Sequence, residues 1–158
     1  MKQTLLAICG LGIAMLLAVS SQERTLQATS SATESTIETL AGQAATNVLG
    51  YIAAQPFDAN TAANLVTDDP TALTPASLFP TGRAFGAATD VDDFHQMATH
   101  TYASGMPGIT FEVDAEVRYV NEAAQPSATS TFNKEVIVTV RHAQLRTPIT
   151  LRRVVSWL

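Results

Sequence analysis

The sequence predicts an α+β fold: a long N-terminal helix, with a membrane half and an amphipathic half, packed on a C-terminal antiparallel sheet of three to four strands. Three observations predict it. Residues 4–19 carry no charge, residues 22–55 lack proline and repeat apolar or small side chains at helical spacing, and the last fifty residues alternate apolar and polar side chains in three runs.

Composition sets the frame. The chain has 158 residues and 46% hydrophobic content, enough for one domain with an appendage and a core of useful size. Charged residues make up 15%, against the usual quarter or so. Nine basic against 14 acidic residues give a net charge of −5, which argues against nucleic acid as a main partner. The basic pair Arg152-Arg153 lies in a predicted strand, where alternation sends its members to opposite faces. Cys9 is the single cysteine, so there is no intrachain disulfide and no CxxC zinc site. Ile8 stands where a lipidation signal needs a small residue, so Cys9 is read as facing lipid or a signal-peptide receptor.

Residues 1–21 are an apolar transmembrane anchor or a signal segment. Lys2 precedes the run, and Glu23 and Arg24 follow it. A cleaved secretory signal fits the basic start, the apolar middle and the small-residue end at Ala18–Ser20. An uncleaved anchor needs about 20 apolar residues to cross about 30 Å; this run is somewhat short, with Gln3 and Ser20-Ser21-Gln22 placed for the interfaces. Both readings put the rest of the chain outside the cytoplasm.

Residues 22–56 form the amphipathic half. Leu26, Thr33, Ile37, Leu40, Ala44, Val48 and Ile52 recur at gaps of three, four and seven, one face of a helix, and Pro56 ends it. The anchor therefore runs without a break into this helix, which favours anchor over cleaved signal. The patch "TSSATEST", Thr29–Thr36, is rich in weak helix formers and is the place where a linker would interrupt it. Gly10, Gly12, Ala14, Ala18, Ala41, Ala44 and Ala45 are small enough for close helix–helix packing.

Residues 57–109 are loop-rich, punctuated by Pro70, Pro75, Pro80 and Pro107 and by four glycines, with short helical turns expected near Ala72–Leu78 and Asp92–Thr99. Residues 110–158 are the sheet. Phe111, Val113, Ala115, Val117 and Tyr119 share one face of the first long strand, and Val136, Val138 and Val140 one face of the second. Ile149, Leu151, Val155 and Trp157 share a parity in the third. Short connections predict an antiparallel meander whose apolar face is covered by the helix.

One stretch concentrates chemistry: "DVDDFHQM", with Asp90, Asp92, Asp93 and His95. Its first reading is a turn in which Asp90 or Asp92 caps a short helix, Phe94 and Met97 are buried, and His95 faces solvent. A Ca²⁺ site on Asp90, Asp92 and Asp93 is the alternative, although the glycine and glutamate of an EF-hand loop are missing at their positions. A Zn²⁺ site from His95, His100 and an aspartate is disfavoured, because histidines five apart leave one helix face. No GxSxG elbow and no glycine-rich phosphate loop is present, and His142 near a strand end is read as a surface residue. No catalytic residue, cofactor or enzyme activity is expected.

The layout resembles the type IV pilin superfamily, including pseudopilins. "AAQPFDAN", "DVDDFHQM" and "KEVIVTVRHAQLRTPITLRRVVS" are similar to segments of minor pilins of the mannose-sensitive haemagglutinin type and related prepilin-like proteins. The resemblance implies a structural or assembly subunit of a bacterial surface filament or secretion apparatus. It would be a single-pass inner-membrane protein with its C-terminal domain extracytoplasmic, or assembled in the filament, with other pilin-like subunits or the assembly machinery bound through the N-terminal helix. The family's processing signal is a glycine followed by an aromatic residue or Met, with a Glu five residues in. Here Leu11 follows Gly10 and Ile13 follows Gly12, the positions five on are Met15 and Leu17, and the first acidic residue is Glu23. That departure points to a divergent subunit, an accessory component or a pilin-shaped protein that stays in the membrane. The alternative function is a secreted or anchored extracytoplasmic binding module.

Overall fold

The computed structural model describes residues 2–63 and 68–157, and of residues 2–14, 16–19 and 26 only the backbone. The chain divides into two compact units, 1–37 and 38–158. A single helix, α1 (Lys2–Ala53), supplies the first unit and the opening of the second. The "TSSATEST" patch does not interrupt it. Threonine hydroxyls in and just before it bond back to the carbonyl one turn earlier: Thr25 Oγ1 to Ser21, Thr29 to Thr25, Thr33 to Thr29 and Thr36 to Ala32, at 2.8–2.9 Å. These back-bonds occupy side chains that would otherwise compete with the helix.

Among the described residues no helix is long and apolar enough to cross a membrane. The side chains on which the anchor expectation rests, those of residues 4–19 apart from Met15, lie outside the described residues.

In the second unit the C-terminal part of α1 packs against a four-stranded antiparallel sheet, and this α+β arrangement is pilin-like in shape. Strands β1 (His100–Ala103), β2 (Thr110–Tyr119), β3 (Asn133–Arg141) and β4 (Ile149–Ser156) are ordered β1-β2-β3-β4, a meander. The three long strands are those the alternation predicts. β1 is the short fourth, paired to β2 with His100 opposite Val113 and closed by a turn with Gly105 and Gly108 at positive φ. The β2–β3 register sets Val113 opposite Val140, Val117 opposite Val136 and Tyr119 opposite Lys134. Phe111, Val113, Ala115, Val117 and Tyr119 are buried as the parity requires. The predicted face of β4 is only half-buried, because β4 is an edge strand.

On the helix side Ala41, Ala44, Ala45, Val48 and Ile52 are buried. This corrects one expectation: Ala41, Ala44 and Ala45 are consumed by the chain's own core and are not open to a neighbouring helix. Asn47 Nδ2 donates to the Tyr102 hydroxyl on β1 at 3.0 Å. The loop region is tied down by aromatic contacts, with Tyr51 against Phe85 (5.0 Å) and Phe94 (6.2 Å) and Phe85 stacked on His100 (4.4 Å). Single 3₁₀ turns at Pro70–Ala72, Ala76–Leu78 and Asp92–Phe94 stand near the expected helical turns.

Candidate functional site

The most unusual chemistry of the second unit is a lysine buried with two carboxylates. β3 begins Asn133-Lys134-Glu135-Val136, and alternation puts Lys134 on the same face as Val136, Val138 and Val140, toward the core. Its side chain is 0% exposed, as is that of Asp58, and Asp92 is 2% exposed as a residue. Charged side chains are almost never this buried unless paired.

Each member comes from a different segment. Asp58 follows the end of α1 and caps the one-turn helix α2 (Ala59–Ala62) in a capping box with Thr61. Its Oδ1 accepts from the Asn60 N–H (2.8 Å) and the Thr74 hydroxyl (3.2 Å), and its Oδ2 from the Thr74 N–H (2.9 Å) and Lys134 Nζ (3.3 Å). Asp92 opens the 3₁₀ turn Asp92–Phe94, which the Val91 N–H fastens to the Pro56 carbonyl at 3.0 Å. Lys134 Nζ donates to the Phe57 carbonyl at 2.7 Å and lies 2.5 Å from Asp92 Oδ1. The rings of Phe57, Tyr119 and Phe79 surround the ammonium at 4.2, 5.1 and 5.4 Å. The Tyr119 hydroxyl donates to the Thr74 carbonyl at 2.8 Å, which fixes that ring.

The two carboxyls are held differently. Burial alone would raise Asp58, but the N–H groups of Asn60 and Thr74, the neighbouring Asp92 carboxyl and the charge of Lys134 outweigh it and keep Asp58 below its ordinary value. Asp92 has no such cradle. It stands within ion-pair distance of Lys134, yet neither of its oxygens meets hydrogen-bond geometry with any partner. Burial, reinforced by the neighbouring Asp58 and only partly opposed by Lys134, pushes it up to about 8. One cation faces two carboxyls, so Asp92 is the one that keeps a proton. Tyr119 is also raised, first by burial and then by the negative charge of Asp92 and Asp58.

The acidic loop sorts its aspartates onto separate tasks. Asp90 Oδ1 accepts from the Asp93 N–H at 3.2 Å, but Val91 holds the N-cap position of the turn without a side-chain bond, so neither Asp90 nor Asp92 is the predicted N-cap. Asp90 is raised by burial and by the nearby charge of Asp93. Asp93 pairs with Arg83 and accepts from the N–H (2.7 Å) and hydroxyl (2.9 Å) of Thr89; these contacts overcome its burial and lower it. Phe94 and Met97 are buried as expected. His95 does not face solvent: it is half-buried against Phe79 at 5.6 Å, with Nδ1 3.4 Å from the Val117 N–H. His100 stacks on Phe85, and His142 lies against Phe111 with Nδ1 accepting from the Gln144 N–H. Among the described residues no group of three or more His, Cys, Asp or Glu side chains is placed to hold a metal ion.

Sequence reasoning on single motifs missed the lysine–carboxylate cluster. A signal existed: Lys134 is the charged residue at a core-facing parity of β3. No family model, curated protein or solved structure matches the chain.

Proposed function

We propose that the chain is a membrane-anchored, pilin-like or pseudopilin-like structural subunit of a bacterial surface filament or secretion apparatus. The observation that supports this most is the unbroken course of α1 from Lys2 to Ala53, which joins an uncharged sequence run directly to the helix of a helix-on-sheet domain. Function on this reading is association: residues 1–37 contact membrane, assembly machinery or neighbouring subunits, and the sheet domain stands outside the cytoplasm. The absence of a Glu five residues after a glycine fits an accessory or membrane-retained subunit better than a major one.

The test is intact mass and N-terminal sequencing of the protein from a membrane fraction of its own host. The expected result is a chain that retains the apolar run and is extracted only with detergent. A soluble product beginning near Ser21 would sink the reading and leave the extracytoplasmic binding module in its place.

A further inference from the structure

We propose that Lys134 and Asp92 become joined by an intramolecular amide (isopeptide) bond, with Asp58 as the proton carrier. The geometry supplies each requirement. The nucleophile Nζ lies 2.5 Å from Asp92 Oδ1, so the carboxyl carbon is one C–O bond beyond the contact. Groups fixed in such proximity react with effective molarities of about 10⁵ M or more. Phe57, Phe79 and Tyr119 crowd the amine, and Lys134 and Asp92 are almost fully buried, so water is excluded from the step and from its reversal.

The roles of the two carboxyls follow from their partners. Asp58 is fixed by the N–H groups of Asn60 and Thr74 and by the Thr74 hydroxyl, which favour the carboxylate. Asp92 accepts no backbone hydrogen bond and is the carboxyl raised toward its protonated form, which is the electrophilic one. In the step, Asp58 carboxylate removes one proton from the Lys134 ammonium and frees its lone pair. Nζ attacks Cγ of the protonated Asp92 carboxyl. The second ammonium proton passes to the departing hydroxyl, the C–O bond breaks and water leaves. Ammonium, carboxylic acid and carboxylate thus give an amide, one water and protonated Asp58, with no oxidant or cofactor. The product replaces a buried charge by a neutral amide, which lowers the cost of keeping the corner dry.

The bond would tie the turn before β1 to the start of β3, closing a covalent loop from residue 92 to residue 134. In a chain with a single cysteine this is a cross-link that reduction cannot open. The inference does not depend on the filament reading.

Tryptic digestion of the purified full chain, after denaturation, tests it. Cleavage after every Lys and Arg yields separate peptides 25–83 with Asp58, 84–118 with Asp92, and 119–134 ending at Lys134. An acylated Lys134 resists trypsin, so the expected species is 84–118 joined to 119–141, lighter than their sum by one water. Lys134→Met should restore the full mass. Asp58→Asn, shown by circular dichroism to retain its β signal, should lose no water over the same time. Peptides 84–118 and 119–134 recovered separately at full mass from the parent chain would overturn the proposal. A link from Lys134 to 25–83 would overturn the choice of Asp92, and unimpaired water loss in Asp58→Asn would remove Asp58 from the step.

Discussion

The helix–sheet layer and the Lys134 corner are both fully buried parts of one domain, and they are held by opposite physics. In the layer, Ala44, Val48 and Ile52 and the inward valines of β2 and β3 meet as apolar surfaces. Their contribution scales with area, about 25 cal/mol per Å², and does not depend on direction. In the corner, Lys134, Asp58 and Asp92 are stable only as a set, because each charge removed from water needs its partner. The layer should therefore tolerate volume-conserving changes one at a time. The corner should tolerate none singly and more in combination.

The sharpest way to break this contrast is Lys134→Met. It keeps an unbranched apolar side chain but strands two carboxyls, and should cost about 3–5 kcal/mol in urea denaturation near neutral pH. Adding Asp92→Leu should recover part of that loss; a double variant less stable than the single would mean that packing, not charge, dominates the corner. Next is Phe94→Ala, which empties a fully buried site against Tyr51 and Phe85 and should cost about 3 kcal/mol. Ala45→Leu, on the helix side of the layer, should cost about 2 kcal/mol by overpacking.

Acidity separates the two regions further. Asp92 has its folded value raised to about 8, so the native state holds a proton that the unfolded state loses at ordinary carboxylate pH. Stability from that group is complete below its unfolded value and falls as pH rises toward 8. Asp58 and Asp93 are lowered, so their contribution is present above the ordinary carboxylate value of 3.8 and disappears as pH falls through their folded values. In Lys134→Met, which cannot form the amide and lacks the cation that opposes the rise, the unfolding free energy from urea denaturation should fall between about pH 5 and pH 8, by about 1.4 kcal/mol per pH unit. Adding Asp92→Asn should flatten the profile. The parent chain should already be flatter than Lys134→Met, since an acylated Asp92 has no proton to lose.

The layer was legible in the sequence and the corner was not, for the same physical reason. Periodicity reports local geometry: the stripe from Ala44 to Ile52 and the alternation from Phe111 to Tyr119 both follow from how side chains leave a helix or strand. The four-residue strand β1 is too short to show a period and was covered only by the range of three to four strands. The corner is assembled from three distant segments, and nothing local in any of them announces the other two. Asp58 lies in "AAQPFDAN", Asp92 in "DVDDFHQM", and Lys134 opens "KEVIVTVRHA". The segments that carry the pilin resemblance thus each contribute one member of the cluster. What brings them together is the β2–β3 register, which sets Lys134 opposite Tyr119, and the bond from Val91 to Pro56. His95 was misplaced for a related reason, since its partner Phe79 lies in a loop with no readable period.

The smallest effect expected is at Arg83, and it sharpens the comparison from the polar side. Asp93 sits one residue from Asp92 and is as buried, yet its cation Arg83 has a side chain 40% exposed, where Lys134 is sealed. Solvent screens the Arg83 charge and can replace it, while Thr89 keeps both its donors on Asp93. Arg83→Ala should therefore cost less than about 1 kcal/mol, and the cost should shrink in high salt. Lys134→Met should be nearly indifferent to salt, because ions do not reach it. If the two variants proved equal in cost and in salt response, burial of the cation would not be what distinguishes the two aspartates, and the corner would be an ordinary surface ion pair in its energetics.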